Sequence, residues 1–100
     1  MKSGTNQGIK GNRIIISVIG PDKVGIIAGI ANVLADNEIN ILDISQTTLQ
    51  EYLAMVLIAD MQKSVIDLDT LKEELNTKGD ELGVRINAQH EDVFNFMHRL

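Results

Sequence analysis

Four short segments rich in aliphatic residues alternate with two segments whose apolar residues recur at helical spacing. Their order along the chain is strand, helix, strand, strand, helix, strand. Because crossovers between strands of one sheet are right-handed, this order predicts a four-stranded antiparallel sheet with both helices on one face. The predicted fold class is therefore α+β, a ferredoxin-like βαββαβ sandwich. The predicted strands cover residues 13–19, 38–49, 52–60 and 84–89, and the predicted helices cover residues 25–37 and 67–82.

The ends of the two helices are predicted from capping residues. Asp22 is expected to be the N-cap of the first helix, and Asn37 is expected to end it in left-handed backbone. The second helix is expected to end at one of two glycines, Gly79 or Gly83. Its apolar face is formed by Leu68, Leu71, Leu75 and Leu82.

The strands differ in the faces that carry apolar residues. Residues 13–19 are apolar on both faces, whereas the second strand places Asp43, Ser45 and Thr47 on one face, which is expected to meet solvent or a partner. Residues 49–51 are expected to join the second and third strands as a hairpin. The outer strands leave unpaired backbone groups, so a dimer is expected. In the fourth strand, the inward-facing residues are Val84, Ile86 and Ala88.

Length and composition exclude several classes of protein. A chain of 100 residues with 44% hydrophobic residues supports a single domain with its own core. The absence of cysteine excludes a disulfide framework, a thiolate zinc site and a cysteine nucleophile. A net charge of −5 and 3% aromatic residues argue against nucleic-acid binding. The sequence has no apolar run of about 20 residues and no signal peptide, so we expect a cytoplasmic protein with no membrane association.

The chain is divided into three parts. Residues 1–12 hold three glycines and two strongly hydrophobic residues, which predicts a flexible tail. Residues 13–90 form the domain, and residues 91–100 are predicted to form a short C-terminal helix. An apolar stripe on this helix is expected to dock on its own domain or on a neighbour, with capture of a partner peptide as the alternative. The stripe consists of Val93, Phe94, Met97 and Leu100.

The most informative segment is residues 14–41. Residues 22–27 match a pattern of Asp, a basic residue, any residue, Gly and two aliphatic residues that runs from the loop into the first helix, and an Asn-Ile pair follows at residues 40–41. In these features the sequence resembles the ACT domain, a small-molecule-sensing module of amino-acid metabolism, over about residues 13–90. The stretch ILDISQTTLQEYLAM is similar, more narrowly, to stand-alone single-ACT proteins related to the glycine cleavage system repressor and to the amino-terminal part of formyltetrahydrofolate deformylase.

This resemblance implies regulation rather than catalysis. In ACT proteins the effector commonly lies between subunits, which implies a homodimer or a higher homo-oligomer that binds an amino acid or a related carboxylate. Gly20 stands where some serine-binding members of the family carry His, which argues against serine-type recognition.

The residues themselves also support a ligand site at the start of the first helix. Unpaired amides in the loop at Val24, Gly25 and Ile26 can hold a carboxylate. Asp22 can accept an ammonium group, and the Asn40 amide can both donate and accept. A helix terminus contributes roughly 0.3 to 2 kcal/mol, whereas micromolar affinity needs about 8 kcal/mol, so a second subunit is expected to complete the site. The predicted ligand-binding residues are Asp22, Lys23, Val24, Gly25, Ile26, Asn40 and Ile41.

Each of these residues also has a purely structural interpretation. Asp22 can serve as a helix cap, Gly25 can permit close packing, Asn40 can cap backbone groups, and Lys23 can be simply solvated.

Catalytic and metal sites are not expected. His90 and His98 have no standard spacing for metal ligands. No base can be placed beside the hydroxyls of the second strand, so we expect no enzyme activity and no cofactor. The predicted function is a small-molecule-binding regulatory module that acts as a homo-oligomer. The alternative is an interaction protein that binds an enzyme or regulator without a ligand.

Overall fold

The computed structural model describes residues 12–93 and contains the six predicted elements in the predicted order. Residues 91–93 are helical. The rest of the predicted C-terminal helix lies outside the described residues, as does the predicted tail apart from Asn12. Within residues 12–93, neither helix is long and apolar enough to cross a bilayer. The strands are β1 (Arg13–Pro21), β2 (Asn40–Leu49), β3 (Tyr52–Asp60) and β4 (Arg85–His90), and the helices are α1 (Ile26–Asp36) and α2 (Leu68–Leu82).

The four strands form one antiparallel sheet in the order β2-β3-β1-β4, which confirms the α+β, ferredoxin-like prediction. β1, the strand with apolar residues on both faces, is an inner strand, and β2 and β4 are the two edges. At one end of the sheet Pro21 pairs with Tyr52, and we call this the loop end. At the opposite end Arg13 and Asn40 both pair with Asp60, and we call this the Asn40 end.

The core lies between one face of the sheet and the two helices. Alternate residues of the inner strands point into it, as the period of two in a strand requires. In β4, Val84 precedes the strand and Ile86 lies within it, and both are buried as predicted. The fully buried side chains include Ile14, Ile16, Val18, Ile30, Leu34, Met55, Leu57, Leu71 and Leu75.

The predicted hairpin is confirmed, but β2 contains an irregularity that the sequence pattern did not indicate. Ile41 pairs with Ala59 and Asp43 pairs with Ile58, so Leu42 is an extra residue in a β-bulge. After the bulge, Asp43 and every second residue of β2 lie on the face of the sheet away from the helices. The turn itself is made by Gln50 with a φ of 57° and by the residue after it.

Helix α2 has a clear cap at each end. The Asp67 carboxylate accepts a hydrogen bond from the Thr70 amide over 2.9 Å. Gly83 adopts a φ of 76° at the other end, so the prediction of Gly83 as the terminator is confirmed. Gly79 lies inside the helix, so the alternative prediction that the helix ends at Gly79 is wrong.

Candidate ligand-binding site

The loop between β1 and α1 begins with a backbone hydrogen bond to the β2–β3 turn. The Asp22 amide donates to the Glu51 carbonyl over 2.8 Å. Because Asp22 is still held beside the sheet, the helix begins only at Ile26, with Gly25 at the N-cap position. The prediction of Asp22 as the N-cap is therefore wrong. The loop over residues 22–25 is exposed, so the Asp22 carboxylate is accessible to a ligand.

Gly25 turns the chain into α1. Its φ of 93° lies in the left-handed region that favours glycine. Its carbonyl accepts from the Gly29 amide over 2.9 Å, which is the first hydrogen bond of the helix. A Cβ built on Gly25 would meet no atom within 4 Å, so the surface over this helix start is open. Among the described residues no side chain caps this end, and its first amides carry partial positive charge that favours a carboxylate.

The three other loop residues of the predicted site differ in what they can offer. Val24 is fully exposed, whereas the Ile26 side chain is buried in the core, so only the Ile26 backbone can contact a ligand. Lys23 extends toward the other helix, and a Cβ built on Gly83 would lie 2.8 Å from Lys23 Nζ. The ammonium therefore lies at the C-terminal end of α2, where the last carbonyls carry partial negative charge. The Lys23 residue is exposed at this position.

Gly20 lies on β1 just before this loop. A Cβ at this position would lie 2.9 Å from Val84 Cγ1 and 3.0 Å from Val84 Cα. These distances are shorter than ordinary van der Waals contact, and one of them involves backbone. A histidine at position 20 would therefore require the backbone to move, which agrees with the expectation that serine-type recognition through this position does not apply.

Asn40 lies at the other end of the sheet. It is exposed and pairs with Asp60 as the first residue of β2. Beside it is a cavity of about 450 Å³. Ile41 is not part of this cavity, because it is half-buried, pairs with Ala59 and packs against the core. The cavity is lined by Ala35, Glu38, Ile39, Asn40, Asp60, Gln62 and Lys63.

The charges around this cavity favour a cationic group. Glu38 and Asp60 contribute two carboxylates, and Lys63 contributes one ammonium. One Asp60 oxygen accepts a hydrogen bond from the Gln62 amide over 2.9 Å, which fixes the carboxylate in place. The amide of Asn40 can donate as well as accept. The cavity can therefore take the ammonium end of a zwitterion more easily than its carboxylate end.

The structure does not bring the two halves of the predicted site together within one copy of the chain. The loop with Gly25 follows the loop end, where Pro21 pairs with Tyr52, whereas Asn40 pairs with Asp60. Eight steps along β3 separate Tyr52 from Asp60, or roughly 26 Å at the usual rise per residue. A ligand the size of an amino acid cannot span that distance.

The turn that leads to Asn40 is set by residues that sequence reasoning did not assign to the site. Asn37 is the C-cap of α1, but its φ is −106°, so the prediction that it adopts left-handed backbone is wrong. Glu38 adopts the left-handed conformation instead, with a φ of 60°. The amides of Asn37 and Ile39 both donate to the Leu34 carbonyl, over 3.2 and 2.9 Å. An asparagine directly after an amphipathic helix was the available signal, and it indicated the position but not the conformation.

A larger groove, of about 600 Å³, lies between α2 and the edge of β4. The nearest predicted site residue is Lys23, whose ammonium lies over Gly83 at one end of the groove. The amides of Gly83 and Val84 already donate to the Gly79 carbonyl, over 2.8 and 3.0 Å. These two amides are therefore not available to a carboxylate, whereas the first amides of α1 are uncapped.

The side chains that suggested other chemistry have ordinary surroundings. Asp43 and the polar residues that follow it in β2 lie on an exposed face, and Asp43 Oδ1 accepts from the Ile44 amide over 2.9 Å. The Asp92 amide donates to His90 Nδ1 over 3.3 Å. His98 lies outside the described residues. Across residues 12–93, no three His, Cys, Asp or Glu side chains lie close enough together to hold a metal ion.

Comparison with known proteins identifies the same family as the motif. The ACT domain family model matches residues 12–89. A UPF0237 protein of Methanocaldococcus jannaschii is 51% identical over 89 residues, which cover 89% of this chain and 99% of the relative. An ACT domain protein from Streptococcus pneumoniae has a similar structure, with a TM-score of 0.73 and 34% identity, over 90% of this chain and 98% of that one.

A more distant structure shares the fold. A protein described as a glycine cleavage system transcriptional repressor superposes with a TM-score of 0.69 and 20% identity. The match covers 79% of this chain and 46% of the other chain. At this identity the likeness shows the fold alone, and the resemblance inferred from the motif is confirmed at that level.

Proposed function

We propose that this chain, which belongs to the ACT domain family, is a regulatory module that binds an amino acid or a related carboxylate between two copies of itself. The observation that carries the proposal is the start of α1, where Gly25 leaves the first amides of the helix uncapped and open. A carboxylate placed there would meet partial positive charge. The Asn40 cavity, with its carboxylates, suits the ammonium group of the same ligand.

The two halves of the site can meet if two copies pair through their β2 edges. β2 runs from Asn40 at one end of the sheet to Leu49 at the loop end. In an antiparallel pair related by a two-fold axis, the loop end of one β2 lies beside the Asn40 end of the other. Gly25 of one copy would then approach the Asn40 cavity of its partner. Such a dimer has two equivalent sites, each made by both copies.

The surface around β2 supports this arrangement. β2 is an edge strand, and from Leu42 to Leu49 every residue is exposed. Leu42 is 44% exposed and Ile44 is 41% exposed, although both are large and apolar. Ile27 on the adjacent helix α1 is also exposed. A second copy at this edge would pair the free backbone groups of β2 and cover these three side chains.

Regulation follows from the same geometry by linkage. A ligand that contacts both copies binds the dimer better than the monomer, so it favours the assembled form. A coupling of about 1 to 3 kcal/mol is typical of allosteric proteins. The response would be delivered by association with another protein, because the signal is a change in the exposed surface of the dimer.

Ligand binding is tested by thermal shift and isothermal titration with each of the twenty amino acids. We expect at least one of them to raise the melting temperature and to strengthen dimer formation in analytical ultracentrifugation. Asn40→Ala is expected to abolish the shift, whereas Asn87→Ala, an exposed asparagine on the opposite edge strand, serves as the matched control. If none of the twenty amino acids produces heat or a thermal shift, the sensing function is wrong. A partner protein that binds the Asn40→Ala variant as well as the wild type would then favour the alternative function, an interaction protein that needs no ligand.

A further inference from the structure

An apolar surface is exposed near the loop end, on the face of the sheet away from the helices. Tyr52, Ala54 and Val56 alternate with buried residues of β3, so they lie on this face. Leu49 pairs with Tyr52 and Ile19 pairs with Ala54, so these two residues lie beside them. Leu49 is 72% exposed, Ile19 58%, Tyr52 55% and Val56 40%. We call these five residues the loop-end patch. Contiguous exposed apolar residues of this kind mark an interaction surface.

The surroundings of the loop-end patch are polar and carry few charges. Arg85 pairs with Ile19 and is exposed, and it is the one charged residue among the described positions on this half of the face. Glu51 is exposed in the turn directly before Tyr52 and adds one carboxylate at the end of the patch. The patch therefore has an apolar centre, a polar rim and one charge of each sign, as expected of a protein interface. The polar positions beside it are Ser17, Ser45, Thr47 and Asn87.

We infer that the loop-end patch joins two β2-paired dimers face to face in a tetramer, an inference that rests on the β2 pairing proposed above. The two-fold axis of such a dimer places both open faces on the same side of one eight-stranded sheet, so each dimer presents two patches.

The area of the patch favours a contact between dimers over a contact between single copies. Four strands about 4.8 Å apart, with three residues of each on this face, give roughly 400 Å² per copy. One patch on another therefore buries roughly 800 Å², which is typical of weak contacts. Two dimers that engage both of their patches bury roughly 1,600 Å², the usual size of a stable interface.

The position of the patch determines how the two sheets cross. Ala54, at its centre, lies about 7 Å across the strands from a two-fold axis near the middle of β2, and a similar distance along them. The axis that stacks equivalent patches therefore runs diagonally across the strands. The strands of the two sheets then cross at near 90°, which is one of the two standard ways for sheets to pack. The tetramer is closed, so assembly stops at four copies.

This crossing brings complementary residues together. Ala54 lies over the partner's Ala54, and these small side chains let the sheets approach, while Ile19 lies over the partner's Tyr52. Arg85 is about 10 Å across the strands from Ala54, and Glu51 is about 10 Å along β3 from Ala54. A diagonal two-fold axis exchanges these two directions, so Arg85 meets the partner's Glu51. The charges therefore favour a second copy of this chain as the occupant.

Analytical ultracentrifugation of the full chain tests the inference. We expect the wild type to form a tetramer that dissociates to dimers on dilution. Ile19→Lys places a second cation beside Arg85 within the contact and should stop assembly at the dimer. Val65→Lys changes an apolar residue that is 69% exposed outside the patch, so it is the matched control and should remain a tetramer. Equal masses for the two variants would overturn the inference.

A charge exchange tests the crossing itself. Arg85→Glu and Glu51→Arg are each expected to raise the dissociation constant of the tetramer at least about tenfold, because each tetramer contains four such pairs. The double variant restores opposite charges and should recover most of the loss. Absence of recovery would overturn the arrangement in which these two residues meet.

Ile44→Lys separates failure of this inference from failure of the β2 pairing. Ile44 is exposed on the β2 edge and pairs with the buried Leu57, so it lies on the helix side of the sheet. We expect Ile44→Lys to give monomers. A wild-type dimer that Ile44→Lys dissociates and Ile19→Lys leaves intact would overturn the tetramer and keep the β2 pairing. A dimer that persists in Ile44→Lys and is lost in Ile19→Lys would place the contact at the patch and would contradict the β2 pairing.

Discussion

The side-chain amide of Asn37 donates to Glu74 Oε1 over 2.8 Å and joins the end of α1 to the middle of α2. The same nitrogen also donates to the Val33 carbonyl over 2.8 Å. The Asn37 carbonyl accepts from the Val65 amide over 3.1 Å. Asn37 is only 8% exposed, and these bonds fix the turn that carries the Asn40 cavity.

Asn37→Ala is expected to lower the free energy of unfolding by about 1 to 3 kcal/mol, because it removes the donor of two part-buried hydrogen bonds, to the Val33 carbonyl and to the Glu74 carboxylate. Urea denaturation of the two proteins measures the change. Asn32→Ala, at an exposed position of the same helix, is the control and should change stability by less than about 0.5 kcal/mol. Equal stabilities of the two variants would show that the Asn37 bonds contribute little.

Two glycines inside helices are expected to respond differently to the same substitution. A Cβ on Gly79 would lie 2.7 Å from the Val84 carbonyl oxygen, whereas one on Gly29 would lie 3.0 Å from Leu82 Cδ1. The first contact involves backbone and the second involves the end of a flexible side chain. Gly79→Ala should therefore destabilise the protein by about 1 to 3 kcal/mol.

Gly29→Ala should be close to neutral, because the gain in helix propensity of about 1 kcal/mol offsets the crowding. Thermal unfolding of both variants checks the pair. If the Gly79→Ala and Gly29→Ala variants had the same melting temperature, the close approach of Gly79 to the Val84 carbonyl would be contradicted.

The Asp67 cap gives stability a dependence on pH. The Thr70 hydroxyl and then the Thr70 amide hold the pKa of Asp67 below its ordinary value. A carboxyl whose pKa is lower in the folded state contributes stability above its unfolded pKa and loses it as the pH falls through the folded pKa. Asp67→Asn keeps a capping oxygen but removes the charge, so the wild-type advantage should be present at neutral pH and vanish in acid.

Unfolding by urea at several pH values measures this difference. Asp80→Asn, at an exposed position away from the start of α2, is the control. A stability difference between wild type and Asp67→Asn that stays constant from neutral to acid pH would be inconsistent with the proposed cap.

Structural features that depend only on residues close together in the sequence could be predicted from it. The alternation of Val84, Ile86 and Ala88 identified the inward face of β4, because burial has a period of two in any strand. The start of α1 could not be predicted in this way. The Asp22 amide bonds to Glu51, and that partner lies in a hairpin 29 positions later in the chain.

The candidate site shows the same limit. The motif identified Gly25 and Asn40 as the main residues of the candidate site. No local sequence pattern, however, indicates that α1 carries the chain from the loop end to the opposite end of the sheet. That separation follows from the strand order, in which β2 starts beside Asp60. It is the reason that the proposed site needs two copies.

The proposed β2 interface can be tested without a ligand. Single cysteines at Asp43, Ser45 or Thr47 lie on one face along the exposed β2 edge. A two-fold axis near the middle of β2 brings one such position close to its own copy, so at least one variant should form a disulfide-linked dimer on mild oxidation.

Cysteines on the other edge strand, at Arg85 and Asn87, provide the control and should stay monomeric in denaturing gels without reductant. Preferential cross-linking through β4 would place the dimer interface on the β4 edge instead of the β2 edge. In such a dimer the two halves of the proposed site would not meet, so the proposal would be contradicted.

The central proposal is that each site takes Gly25 from one copy and Asn40 from the other, and mixed dimers test this most directly. Gly25→Val and Asn40→Ala are each expected to abolish binding of the amino acid identified by thermal shift. After the two proteins are mixed in equal amounts and allowed to exchange subunits, each mixed dimer has one intact site. We therefore expect titration to recover about one quarter of the wild-type capacity. No recovery in mixtures shown to contain mixed dimers would contradict a shared site.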